Sequence, residues 1–165
     1  MMVAFSNQNI KDVRSYANEL ISGYGKSVYA DAAHMTLAKI YVSRKKLDKA
    51  HAELHLVAEN SKMPALRQIA KIRIARLLAA DKNYDGALKE LDSLKDDIYL
   101  PVVNEIKGDI YGATGKYQEA IVAYRQALDQ VKTNGMGNLF LEMKTNELAS
   151  KSQSQLTEEN KVQAA

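Results

Sequence analysis

The sequence predicts an all-α protein built from stacked helical hairpins, and three observations carry that prediction. Alanine, leucine, lysine and glutamate are abundant while proline occurs only at Pro64 and Pro101, the composition of a helix former. Apolar residues recur at helical spacing, and β-branched residues nowhere cluster with the period of two that a strand requires. The chain also repeats itself.

The repeat is clearest across residues 101 to 128, which hold Gly108, Tyr111, Gly115, Tyr117, Ala120, Ile121, Tyr124, Ala127 and Leu128. These spacings are those of the thirty-four-residue tetratricopeptide signature. Each has a packing reason. Gly108 and Ala120 are small enough for two antiparallel helices to approach closely, Tyr111 and Tyr124 fill the volume beside them, and Gly115 sits in the turn where a positive φ is cheap for glycine. Thirty-three residues before Ala120 stands Ala87, with Tyr84 before it, Leu88 after it, Leu91 in the place of Tyr124 and Ala75 in that of Gly108. Thirty-seven residues earlier again stands Ala50, with Ala38, Tyr41, Leu47, Leu54 and Val57 at matching offsets. One copy is near consensus and two are degenerate.

Taken in order, residues 1–29 hold a helix over 8–22, marked by Ile10, Val13, Ala17, Leu20, Ile21 and Tyr24, which packs on the first repeat. The three tetratricopeptide-like repeats occupy 30–131 as hairpins 30–44 with 47–59, 65–80 with 84–94, and 100–113 with 117–131. Pro64 and Pro101 fall at helix starts, where a missing amide hydrogen costs nothing. Within 132–150, Thr133 to Gly137 form a loop, and Leu139, Phe140, Met143 and Leu148 mark a capping helix over 138–150 that closes the open end of the stack. The tail 151–165, with Leu156 and Val162 as its large apolar residues, is expected to be disordered.

Composition narrows the function. At 165 residues with 46% apolar content, one domain with a sizeable core is expected. The excess of 23 basic over 20 acidic residues is mild and reads as evenly scattered, so no nucleic acid partner is expected. Without cysteine there is no disulfide framework, thiolate metal site or thiol nucleophile. The chain as given lacks a signal peptide and any apolar run of about eighteen residues.

Candidate chemistry weighs against an enzyme. His51 and His55 lie four apart on one helical face, but Ala52 stands where a zinc protease needs glutamate, and no third ligand is near, so no metal is expected and His51 is placed half-buried at a helix interface. His34 reads as structural. Gly112-Ala113-Thr114-Gly115-Lys116 is a repeat turn and not a phosphate loop, since Tyr117 follows where serine or threonine is needed. Asp96-Asp97 and Glu158-Glu159 lack neighbours that would tune a carboxylate for catalysis. No catalytic residue and no cofactor are assigned. The expected protein-binding surface is the concave face built from the first helix of each hairpin: Met35, Lys39, Val42, Ile72, Arg76, Ala79, Val102, Glu105 and Asp109. Some of these, Ile72 and Val102 especially, could instead pack against the flanking helices. The carboxylate clamp of certain repeat co-chaperones is not expected, because of its equivalent positions, Met35, Lys39, Arg73, Val102 and Ile106, only Lys39 and Arg73 are basic.

Between Tyr29 and Ala149 the chain resembles the YfgM family, the tetratricopeptide-like ancillary subunits of the SecYEG translocon. The resemblance rests on Tyr29-Ala30-Asp31-Ala32-Ala33, Ile72-Arg73-Ile74-Ala75-Arg76-Leu77, Ala87-Leu88-Lys89-Glu90-Leu91-Asp92, Ile106-Lys107-Gly108-Asp109 and the closing Leu141-Glu142-Met143-Lys144-Thr145-Asn146-Glu147-Leu148-Ala149. It implies a non-enzymatic scaffold on the periplasmic side of the bacterial inner membrane, with SecYEG, a PpiD-like chaperone or emerging client polypeptides as partners. It also implies attachment through a membrane span upstream of Met1. A generic tetratricopeptide adaptor for another envelope or regulatory assembly is the alternative.

Overall fold

A computed structural model describes residues 7–94, 96–132 and 138–163. Every regular element among them is helical: α1 (Asn7–Tyr24), α2 (Val28–Ser43), α3 (Leu47–Asn60), α4 (Pro64–Ala80), α5 (Tyr84–Asp92), α6 (Leu100–Ala113), α7 (Tyr117–Lys132) and α8 (Leu139–Gln163), with one 3₁₀ turn at Asp97–Tyr99. The six hairpin helices fall within two residues of their predicted bounds. The predicted loop at 133–137 lies outside the described residues. In place of one domain, the chain forms two compact units, Met1–Glu90 and Leu91–Ala165, divided inside α5.

In the first unit, α1 lays Ala17, Leu20 and Ile21 against Ala33, Leu37 and Tyr41 of α2. The Ser27 hydroxyl caps α2 by accepting from the Ala30 amide at 3.3 Å. The main core gathers Ala38 of α2, Ala50, Leu54, Val57 and Ala58 of α3, and Ala70 and Ile74 of α4. Alanines at the crossing points let the helices close, and Leu54 and Ile74 fill the space left. A polar link fixes the corner between α3 and α4. The buried Ser61 hydroxyl donates to Asp31 Oδ2 at 2.7 Å and accepts from the Met63 amide, and Arg67 donates to the Ser61 carbonyl at 2.7 Å.

In the second unit α7 is sandwiched by α6 and α8. Ala120, Ile121, Tyr124, Ala127 and Leu128 form a buried stripe that receives Leu141 and Leu148 of α8. Gly108 of α6 packs so closely on the Tyr124 ring that a Cβ would overlap it. Asn138 caps α8 by accepting from the Leu141 amide at 3.1 Å. The tail expected to be disordered is instead helical: α8 runs on through Gln163. Past residue 150 it is held by the buried Ser152, whose hydroxyl accepts from Gln118 of α7 at 2.6 Å, and by the i, i+4 pair of Glu147 with Lys151 at 2.6 Å. Ala164 and Ala165 lie outside the described residues.

The three hairpins share one turn. In each, an amide reaches back five residues to a carbonyl, Lys46 to Tyr41 at 2.9 Å, Asn83 to Leu78 at 2.8 Å and Lys116 to Tyr111 at 2.9 Å, and the residue before it is left-handed. That residue is Gly115 at φ 76° in the third hairpin, but Lys45 at 56° and Lys82 at 62° in the others. A left-handed non-glycine residue costs roughly 1–2 kcal/mol, against roughly 0.5–1 kcal/mol of extra chain entropy for glycine. Lys45→Gly and Lys82→Gly are therefore each expected to stabilise the chain by about 0.5–1 kcal/mol, measured by urea unfolding. Unchanged or lowered midpoints would contradict this account of the turn.

Candidate protein-binding surface

The predicted concave positions fall into three groups. In the first unit α2 and α4 both pack along α3, and between them lies an open groove of about 520 Å³ floored by Ala38, Leu54 and Leu77. Lys39, Val42 and Arg76 line it, and Arg73, considered only as a clamp residue, joins them. Met35 is half-buried at its edge, where Arg73 donates to its sulfur at 3.4 Å, and Ala79 is half-buried on α4. Ile72 does not belong to an accessible face: it is buried at 7% exposure.

Lys39 and Ser43 also line a second trough of about 420 Å³, between α1 and α2, whose walls are Ile10, Val13 and Ile40. The two troughs therefore meet along a ridge of α2.

In the second unit the predicted positions are largely engaged by α8. Lys144 reaches Asp109 at 2.6 Å and Glu105 at 4.0 Å, and also lies over the Phe140 and Tyr124 rings. Tyr124 donates to the same Asp109 oxygen at 2.6 Å. Burial first, and then the Asp109 carboxylate, raises the Tyr124 phenol far above its ordinary range, so it remains a protonated donor. Val102 is half-buried. Asp109 and Glu105 thus serve the attachment of α8, a contact 35 residues along the chain that helix offsets do not reveal.

The histidines have structural surroundings. His34 Nδ1 pairs with Glu53 Oε2 at 2.7 Å between α2 and α3. His51 is half-buried, as placed from its repeat offset, and its ring lies 5.9 Å from that of the exposed His55. Among the described residues no group of three histidine, aspartate or glutamate side chains converges.

Charge is not evenly scattered. Residues 1–90 carry 15 lysines and arginines against 9 acids, and residues 91–165 carry 8 against 11. The positive excess belongs to the half of the chain that holds the groove between α2 and α4.

The family model of the tetratricopeptide repeat-like domain matches residues 1–150. An ancillary SecYEG translocon subunit of Buchnera aphidicola subsp. Schizaphis graminum is 34% identical over 145 residues, which are 88% of this chain and 72% of that protein. The chain belongs to the ancillary SecYEG translocon subunit family. Further ancillary SecYEG translocon subunits, from Neisseria gonorrhoeae and Escherichia coli, are 31% and 27% identical over 83% and 81% of this chain. The chain spans 66% and 64% of those two relatives' lengths. No solved structure matches it. Among the described residues of this ancillary-subunit chain, no helix is long and apolar enough to cross a membrane.

Proposed function

We propose that the chain is the protein-holding part of a translocon accessory at the bacterial inner membrane. Its groove between α2 and α4 faces the periplasm and captures a membrane-anchored chaperone of the PpiD type or a client segment leaving SecYEG. The observation that carries this reading is the groove itself, open to solvent, lined from three helices and mixing aliphatic floor with cationic rim. Such a trough suits an extended polypeptide, whose alternate side chains point to opposite sides, better than a small metabolite that needs enclosure. The relatives' name, ancillary SecYEG translocon subunit, supplies the assembly. Nothing in the mechanism is chemical: binding energy and local concentration near the channel do the work.

A photoreactive residue at Val42, which is 41% exposed, tests the reading in cells. Ultraviolet cross-linking is expected to capture translocon subunits, a periplasmic chaperone or secreted precursors. Capture of cytoplasmic proteins alone would overturn it. Buried Ile72 makes a poor probe site, since a bulkier residue there would disturb the core.

A further inference from the structure

We infer that the groove between α2 and α4 selects polypeptide segments in which acidic and apolar residues alternate. The inference rests on the reading of that groove as the holding surface and adds the chemistry of what is held.

Three cations, Lys39, Arg73 and Arg76, border the groove, and all three are exposed. Among the described residues, no aspartate or glutamate lines either this trough or its neighbour between α1 and α2. Among the described residues, Lys39 and Arg76 make no ion pair, and Arg73 spends one donor on the Met35 sulfur. The groove therefore presents unmatched positive charge around an apolar floor. An opposite charge on the occupant is the complement that lets these groups be covered without leaving a cation unpaired.

The placement of the cations narrows the occupant further. Arg73 and Arg76 are three apart on α4 and so share a face, while Lys39 stands across the gap on α2. Ala38, Leu54 and Leu77 lie between these rims. A strand-like segment can direct apolar side chains onto that floor while the carboxylates between them leave on the opposite, outer face, where the exposed ends of the long rim cations can meet them. Exposed ion pairs are individually weak, so the floor supplies most of the affinity and the cations supply the selection. Single-stranded nucleic acid fits poorly, because among the described residues the lining offers no aromatic ring for bases to stack on.

The test is fluorescence anisotropy with the whole chain and a labelled twelve-residue peptide alternating aspartate and leucine. The same peptide with asparagine, or with lysine, in place of aspartate gives the comparison. The aspartate peptide is expected to bind at least tenfold more tightly than the asparagine one, with an affinity that falls as salt rises. The Lys39→Glu, Arg73→Glu, Arg76→Glu triple variant is expected to lose at least tenfold for the aspartate peptide and to gain affinity for the lysine peptide, with an unchanged melting curve. Should the triple variant unfold, Lys39→Gln and Arg76→Gln singly give the same order in smaller steps. Equal binding of the aspartate and asparagine peptides overturns the inference, as does competition by polyaspartate or a single-stranded oligonucleotide at equal concentration. Partner capture at Val42 together with charge-indifferent peptide binding would reject the acidic preference and keep the holding function. Charge-selective binding without any captured polypeptide in cells would do the reverse.

Discussion

Gly108→Ala is expected to lower stability by about 2–3 kcal/mol, a fall in melting temperature of about 5–10 °C. The new methyl group would overlap the Tyr124 ring, which is only 3% exposed and tied to Asp109 through its hydroxyl, so neither partner can step aside without breaking the contact with α8. The first hairpin shows how the same place is filled with other volumes: Ala38 meets Leu54 in one core cluster, at the positions that Gly108 and Tyr124 occupy in the third. Combining Gly108→Ala with Tyr124→Leu should therefore recover part of the loss. The recovery is incomplete because the Asp109 hydrogen bond goes with the ring. A double-mutant cycle by urea unfolding measures the coupling, and strict additivity would mean that the two residues do not share the space assigned to them.

Ala120→Arg should cost more, on the order of 4 kcal/mol, because it both overfills a closed helix contact and buries a charge. Ala120 is 0% exposed, as are Ala87 and Ala50 at the matching offsets of the other copies. An unchanged melting curve for Ala120→Arg would refute the repeat register itself, since a surface alanine accepts arginine with little effect.

How much of this was legible depends on where each signal is stored. Small residues at fixed offsets encode helix approach directly, which is why Ala50, Ala87 and Ala120 gave the hairpins and their bounds. The turns at Lys45 and Lys82 were found by offset alone, because no glycine marks their left-handed residues. The length of α8 was hidden: Ser152 and Lys151 sustain the helix through a hydrogen bond and an ion pair, and an apolar pattern search does not weigh these. The site was half legible. Offsets placed Lys39, Val42 and Arg76 on one face, but they could not show that Ile72 is buried or that Lys144 occupies Asp109. The net charge of +3 concealed the cationic first half by averaging it with an acidic second half.

The hydrogen bonds that join Asp31, Ser61 and Arg67 bear on how the groove meets an occupant. They fasten the start of α2 to the corner from which α4 departs, so the spacing of the two rims is gauged by directional polar contacts as well as by packing. A gauge of this kind is set when the chain folds and needs no adjustment on encounter. The backbone ordering entropy of binding then falls on the incoming segment, while on the groove's side the rim side chains Lys39, Arg73 and Arg76 are what binding must still order.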